Sequence, residues 1–168
     1  YFKEGQQNVL SLVSTDAGNG KSQLAEELEN YWLSIGLQVR RLTYDEDFLA
    51  EDSRYLMATD IKSICPDIMP NEIAIIEYPN LDDNTIPSGL LNMGTINLMV
   101  TRANRTWKDV DQKALKELNN RLEKKDSLYM YLTEAQRYAV EEFVGQLPPY
   151  TKFNNFVYRM SQMGLTAV

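Results

Sequence analysis

Short apolar runs alternate along this chain with longer stretches that have the spacing of amphipathic helices. The run at 73–77 places four apolar residues before an acid, and the run at 9–13 is interrupted only by a serine. Further strands are predicted at 37–43, 96–101 and 128–132. Strands that are apolar on both faces are typical of a parallel sheet covered by helices, because neither face meets water. The alternation predicts a three-layer αβα domain of about five mostly parallel strands.

Helices are predicted between these strands and after the last one. Gly36 and Pro66 are placed where the first two helices should end. The predicted ranges are 22–33, 52–64, 109–125, 134–144 and 153–163. The segment 81–94, rich in Asp, Asn, Pro and Gly, is predicted as a loop after the third strand, where ligands of open α/β sheets bind. At 168 residues the chain is most simply a single domain, 1–168.

The charge balance argues against a general nucleic-acid-binding protein. The 17 Lys+Arg and 24 Asp+Glu residues give a net charge of −7, whereas neutralising a phosphate backbone requires a basic face. A local basic patch of Arg102, Arg105 and Lys108 stays open. The absence of histidine removes imidazole catalysis, and Cys65 is alone, which favours a reducing cytosol.

No run approaches the roughly 20 apolar residues that cross a bilayer. The chain opens at Tyr1 without a methionine, so we expect it to be part of a longer protein whose membrane segment, if any, lies elsewhere.

Residues 13–23, VSTDAGNGKSQ, follow the first strand and precede the first helix. Their end, Gly20-Lys21-Ser22, is how a phosphate-binding loop ends, but the strict pattern G-x-x-x-x-G-K-[ST] has glycine where this chain has Thr15. Such a loop wraps backbone amides around phosphates at a helix N-terminus. Lys21 would reach the β- and γ-phosphates, and Ser22 would help to hold Mg²⁺. The residues expected to line the phosphates are Asp16, Ala17, Gly18, Asn19, Gly20, Lys21 and Ser22.

A simpler interpretation of the same segment is a glycine-containing turn. Asp16 or Asn19 would then serve the turn, and Lys21 would be solvated. Glu77, at the end of the strand 73–77, also has two interpretations. It positions a metal ion beside the phosphates, or it is the first solvated residue after a buried strand.

Three segments, in the correct order, resemble the bacterial tyrosine kinases (BY-kinases), a branch of the MinD/ParA-like phosphate-loop (P-loop, Walker A) proteins. STDAGNGKS at 14–22 resembles a loop of the type SPGPGEGKS. IIEYPN at 75–80 looks like the family's IIDTPP, and LMVTRANRT at 98–106 is similar to LLVVRANKT. The resemblance covers about residues 5–132 and implies the strand order 2-3-1-4-5. In that family a non-glycine at the position of Thr15 is ordinary.

The chain also departs from the family pattern. The first acid of the family's D-x-D motif falls on Thr43 and the second on Asp45, and Glu77 replaces the Asp of the third motif. Only 31 residues separate Asp45 from Glu77, which implies that a strand–helix unit is absent. The family's tyrosine-rich tail is not expected within these residues, because Tyr150 and Tyr158 fall in a predicted turn and helix.

What the resemblance implies is a degenerate, pseudokinase-like domain that binds ATP or ADP with Mg²⁺. It would regulate chain length in a capsular or exopolysaccharide co-polymerase at the cytoplasmic face of a bacterial inner membrane, with weak or no kinase activity. Asp45 and Glu77 are the implied catalytic residues, and Ser22, Asp45 and Glu77 the implied Mg²⁺ ligands. Asp16 is a candidate metal-facing group or base, or else a cap of the turn. Two alternatives stay open: an active autophosphorylating tyrosine kinase or ATPase, and an oligomerisation module without nucleotide.

The implied partners are further copies of the chain, the membrane-spanning part of its own parent chain and the polysaccharide assembly machinery; nucleic acid is not among them. Phe153, Phe156, Val157 and Met160 form a helical stripe that is either core or a surface for a neighbouring subunit. Simple packing is expected for Trp32 and for Tyr129, Tyr131 and Tyr138. An ordinary solvated helix face is expected for Lys113, Lys116, Glu117 and Lys124.

Overall fold

A computed structural model describes residue 2 and residues 6–82, 84–136 and 141. The chain divides into two compact units, Tyr1–Thr133 and Glu134–Val168, and the fold described here is that of the first. Its strands are β1 Asn8–Val13, β2 Val39–Thr43, β3 Ile73–Glu77, β4 Ile96–Arg102 and β5 Leu128–Thr133. Its α-helices are α1 Lys21–Ser34, α2 Ser53–Leu56, α3 Ser88–Met93 and α4 Asp109–Arg121, with short 3-10 helices at Ile61–Ser63 and Lys125–Ser127.

The five strands form one sheet with the order β2-β3-β1-β4-β5, and every strand pair is parallel. The predicted α/β class, parallel sheet and strand order are confirmed. β3 has the predicted bounds, and the other strands agree within one or two residues. Because all strands run the same way, the segments after β1, β2, β3 and β4 emerge at one edge of the sheet.

Alternate residues of the central strand enter two separate apolar cores. Val9 and Val13 pack on one face with residues of α3 and α4, including Leu90 and Leu118. Leu10 and Leu12 pack on the other face with Leu24 and Ala25 of α1. This double burial explains why β1 is apolar without alternation. Trp32 is half-buried against the second core, in an edge contact with Phe2 at 5.5 Å between ring centroids, so the packing predicted for it is confirmed.

The helix predicted at 52–64 is wrong in its extent. Only α2 and the 3-10 helix Ile61–Ser63 form there, and Leu56 is exposed. Asp60 explains the interruption, because its side chain accepts a hydrogen bond from the Ser63 amide at 3.0 Å and starts a new turn. Short polar side chains that bond nearby amides compete in this way with a continuous helix.

Two other predictions of elements need correction. The segment 81–94 is not all loop, because α3 lies within it, with Leu90 and Leu91 fully buried. Burial of these two side chains outweighs the loop-like composition around them. Furthermore α4 ends at Arg121, not at residue 125, because Leu122 leaves the helix in an extended conformation to enter the first core.

The C-terminal predictions fall almost wholly outside the described residues. Residues 134–136 are not helical, and Glu134 has φ +53°, so the helix predicted at 134–144 does not begin there. The helix at 153–163, its stripe Phe153, Phe156, Val157 and Met160, and the residues Tyr138, Tyr150 and Tyr158 lie outside the described residues. Tyr129 is half-buried as predicted, but Tyr131 is 40% exposed on the edge strand, so the packing predicted for it is wrong.

The face of α4 and its continuation that carries Lys113, Lys116, Glu117 and Lys124 is exposed, as predicted. Within the described ranges, none of the helices has the length and apolar character needed to cross a bilayer.

Candidate functional site

The segment 14–20 joins the central strand β1 to α1 at the edge of the sheet where the strands end. Two backbone hydrogen bonds tie it to the segment after β3: Leu81 N–H donates to Ser14 O at 3.0 Å, and Asp82 N–H to Thr15 O at 3.1 Å. On its other side, the Thr133 hydroxyl at the end of β5 donates to Asn19 O at 2.9 Å. The loop is thus held between neighbouring strand ends, the position where α/β sheets carry their sites.

Two glycines of this loop have a left-handed backbone conformation. Gly18 has φ +73° and Gly20 φ +85°, in the left-handed region that favours glycine. Gly20 is the N-cap of α1, which has no side-chain cap and no acid in its first turn. Residues 17 and 18 form a hydrogen-bonded turn between Asp16 and Asn19, and the amides of residues 20–22 donate to no acceptor in the described part of the chain. The positive end of a 14-residue helix is therefore not capped by those residues.

Thr15, which departs from the strict glycine pattern, has a structural role of its own. It is 1% exposed, and its hydroxyl donates a hydrogen bond to Asp111 Oδ1 in the first turn of α4. Among the described residues other than glycine, only Asp45 and Glu134 have positive φ, so the backbone at Thr15 does not require glycine. A hydroxyl at this position joins the loop to α4, which a glycine would not do.

Arg105 is the centre of a set of charged contacts that we call the Arg105 cluster: Thr15, Asp16, Arg105 and Asp111. Arg105 donates from Nη1 to Asp16 Oδ2 at 2.8 Å and from Nη2 to Thr15 Oγ1 at 3.0 Å, and it also contacts Asp111 Oδ1. Its Nε donates to Thr101 Oγ1 at 3.1 Å. The cluster connects β4, the loop and α4 through one guanidinium.

Asp111 is the fully buried member of this cluster, with 0% exposure. It accepts hydrogen bonds from Thr15, from the Lys108 amide at 2.8 Å and from Arg105. Burial by itself would raise the pKa of the Asp111 carboxyl, but these hydrogen bonds outweigh burial and hold its pKa below the ordinary value. Asp111 is therefore a buried carboxylate that its donors keep ionised.

The simple-turn interpretation predicts that Lys21 is solvated, and this prediction is wrong. Lys21 Nζ donates to Tyr78 O at 2.5 Å and to Asn80 Oδ1 at 3.3 Å, both in the segment after β3. Burial lowers the pKa of its ammonium to about 8, and the negative charges of Glu77 and Asp82 only partly oppose this. The simple-turn interpretation also predicts that Asp16 or Asn19 stabilises the turn, and this part is confirmed. Asn19 Nδ2 donates to Asp16 O at 3.0 Å and to Asp16 Oδ1 at 2.5 Å.

Glu77 is 3% exposed, so its interpretation as the first solvated residue after β3 is wrong. Arg41 Nε contacts Glu77 Oε1 at 2.6 Å, and Thr43 Oγ1 donates to the same oxygen at 3.3 Å. Thr43 is the residue that stands where the BY-kinase pattern has its first acid. Here it supports Glu77, and Glu77 neutralises Arg41.

The predicted metal ligands lie in three different surroundings. Ser22 is exposed in the first turn of α1, and Asp45 is exposed with φ +70° in the turn after β2, where its amide donates to Phe48 O at 3.0 Å. Glu77, the third, is paired with Arg41. Within residues 2, 6–82, 84–136 and 141, no group of three or more acidic or cysteine side chains is placed to hold a metal ion. The roles of Asp45 and Glu77 in catalysis and of all three in binding Mg²⁺ stay predictions.

The three predicted basic residues lie beside the loop. Arg105 is in the cluster, and Lys108 Nζ is 3.9 Å from Asp16 Oδ2. Arg102 Nη2 is 3.8 Å from the point where a side chain at Gly18 would begin, and its buried Nε has no hydrogen-bond partner in the described part of the chain. The loop therefore has cationic side chains close by on its β4 side.

Sequence reasoning missed the partners that hold the loop: Thr15 as a donor, Asn80 beside Lys21, and Asp111. For Asp111 a local signal existed, because an acid at the third position of a predicted helix often bonds back to the amide that precedes the helix. Its contact with Thr15, 96 residues away, had no such signal.

No protein-family model matches this chain, and no curated protein matches it significantly.

Proposed function

We propose that this chain is a nucleotide-binding regulatory domain of the BY-kinase-like type, which binds the phosphates of ATP or ADP with residues 16–22. The observation that carries the proposal is the uncapped start of α1, where the amides of residues 20–22 meet no described acceptor. Such amides need a partner, and an anion placed there gains from both the N–H groups and the helix dipole.

The side chains around these amides fit a phosphate. Lys21 lies at the first position of α1, and its contacts to Tyr78 O and Asn80 Oδ1 are ones that a phosphate oxygen can replace. Arg102 adds a cation beside Gly18. Neither glycine carries a side chain into the loop, so phosphates can approach the backbone closely.

The acidic residues support nucleotide binding over fast phosphoryl transfer. Glu77 is engaged by Arg41, Thr43 carries no charge, and Asp45 is exposed in a separate turn. Loss of one catalytic carboxylate commonly lowers a rate by roughly 100-fold or more. Of the predicted Mg²⁺ ligands, Ser22 is the one that is exposed at the end of the loop. A Mg²⁺ ion that arrives with the nucleotide would neutralise phosphate charge beside Ser22. The biological setting that we propose is the cytoplasmic end of a polysaccharide co-polymerase, where self-association and contact with the membrane-spanning part and assembly machinery regulate chain length.

The second candidate function is an oligomerisation module without nucleotide. Lys21 and Glu77 are both satisfied by the protein's own groups, as expected if the site has lost its ligand. An active tyrosine kinase or ATPase of the same fold is the third, and it differs from the first in releasing phosphate or labelling tyrosine.

A titration with ATP and Mg²⁺ tests the proposal. Free nucleotide at a hundredfold excess over its dissociation constant should stabilise the folded protein by about 2.7 kcal/mol, because only the folded state has the loop. Thermal unfolding at increasing nucleotide concentration measures this shift. Unchanged unfolding up to millimolar ATP and ADP contradicts the proposal and leaves the oligomerisation module. Phosphate release or tyrosine labelling in the same samples would identify the active kinase.

The pH dependence of nucleotide affinity should report Lys21. A free ammonium whose pKa is about 8 is mostly charged at pH 7.5 and mostly neutral at pH 9. Phosphate binding favours the charged form, so the association constant should fall by about eightfold over this interval. The terminal phosphate, whose second pKa is near 6, does not titrate in this range. Calorimetric titrations at both pH values measure the fall.

A Lys21→Arg variant is the control for this titration, because a guanidinium stays charged across the interval. Its affinity should change little between the two pH values. An equal fall in both proteins would assign the pH dependence to another group.

A further inference from the structure

Asp16 places a carboxylate inside the proposed phosphate loop, where its negative charge opposes an anion. The charge is balanced by neighbouring groups: Arg105 Nη1 at 2.8 Å, Lys108 Nζ at 3.9 Å and the Asn19 amide group at 2.5 Å. In this arrangement the loop holds its own anion, the Asp16 carboxylate, which is paired with Arg105.

The two acids bound by Arg105 differ in how easily they can be released. The side chain of Asp111 is fully buried, whereas that of Asp16 is 36% exposed. Release of Asp111 would leave a buried charge without a partner, which is strongly unfavourable. Release of Asp16 lets water solvate its carboxylate, and half-exposed ion pairs of this kind contribute little. The contact between Arg105 and Asp16 is therefore the one that can be exchanged.

We propose that Arg105 is a positioning residue that exchanges Asp16 for an incoming phosphate while it keeps Asp111. Asp111 and Thr15 hold the guanidinium from one side, so that its Nη1 donors face the loop. A planar guanidinium suits paired phosphate oxygens as well as it suits a carboxylate. Asp16 then acts as an internal competitor that lowers the affinity of the empty loop and leaves when the ligand binds. This inference rests on the proposed function and names how that site is regulated.

Neutralising Asp16 tests the exchange directly. The Asp16→Asn variant should bind metal-free pyrophosphate about fivefold more tightly than the wild type, because the competitor and its repulsion are removed. Metal-free pyrophosphate is the probe because a role of Asp16 as a metal-facing group would not contribute to it. Isothermal titration calorimetry gives the dissociation constants, and circular dichroism checks the fold; Asp16→Ser serves as a second variant if the first does not fold.

The matched control is Asp109→Asn, which makes the same change in charge at an exposed first-turn position of α4. Its dissociation constant should stay within about twofold of the wild type, because long-range charge is screened by salt. An equal gain in this control would overturn the exchange in favour of a general charge effect.

The remaining outcomes separate the two proposals. Wild-type binding without a gain in Asp16→Asn overturns the exchange and leaves the proposed function standing. Binding only by Asp16→Asn supports the exchange and overturns nucleotide binding by the wild type. Failure of both proteins to bind pyrophosphate and ATP overturns both proposals.

Discussion

Replacing Asp111 by alanine is expected to lower the free energy of unfolding by about 3–5 kcal/mol. The carboxylate is fully buried and serves three donors, from Thr15, Arg105 and the Lys108 amide. Its removal leaves the Arg105 guanidinium, 13% exposed, with only its contact to Asp16 as an ion pair. Thermal unfolding should show a melting temperature lower by roughly 10 °C, and chemical denaturation should show the loss in free energy.

Asp109→Ala, two residues away on the same helix, is the control. Asp109 is exposed and contributes only through the helix dipole, so about 0.3–1 kcal/mol is expected. A double variant, Asp111→Ala with Arg105→Ala, should lose less than the sum of its single variants, because neither member of the buried Arg105–Asp111 pair is then left without the other. Equal losses of unfolding free energy in Asp111→Ala and Asp109→Ala would show that the buried Arg105 cluster stabilises the fold no more than an exposed helix-terminal acid does.

The depressed pKa of Asp111 gives this result a dependence on pH. A carboxyl whose folded pKa lies below its unfolded value contributes stability that is present above the unfolded pKa, near 3.9, and lost as pH falls through the folded pKa. An Asp111→Asn variant lacks this titration. Its stability should therefore fall less steeply than that of the wild type below about pH 4.

Replacing Lys21 by alanine is expected to weaken nucleotide binding by about 100-fold, which removes the thermal shift at accessible concentrations. The ammonium is the charged group that the loop pattern assigns to the β- and γ-phosphates, and a charged hydrogen bond in a partly buried site contributes about 2–3 kcal/mol. The unliganded variant should fold, because Lys21 is desolvated in the native state and gains only two hydrogen bonds there. Calorimetry and thermal unfolding with ATP and Mg²⁺ measure the loss.

Lys113→Ala removes the same charge from the exposed face of α4 and should bind nucleotide like the wild type. A thermal shift that survives Lys21→Ala would mean that nucleotide binds elsewhere, and the assignment of residues 16–22 would be wrong. A loss in both variants would instead point to net charge.

The sheet was predictable because its signals are local. Four apolar residues before Glu77 predicted β3 with its observed bounds, since a strand buried on both faces must be apolar throughout. The segment 81–94 misled for the same reason: its composition is that of a loop, but burial of Leu90 and Leu91 stabilises α3 within it. Local composition does not report such long-range packing.

By itself, the sequence determined the strands and the place of the loop between β1 and α1, and the family resemblance implied the strand order. The strands and the place of the loop depend on hydrophobic periodicity, which is a property of short segments. Only the tertiary structure decided what each polar group of the site is bonded to. Thr15 meets Asp111 across 96 residues, Arg105 meets Asp16 across 89, and Glu77 meets Arg41 across 36. The partner of a buried charge is selected by which strand ends the fold brings together, because desolvation makes an unpaired charge costly wherever it lies in the chain.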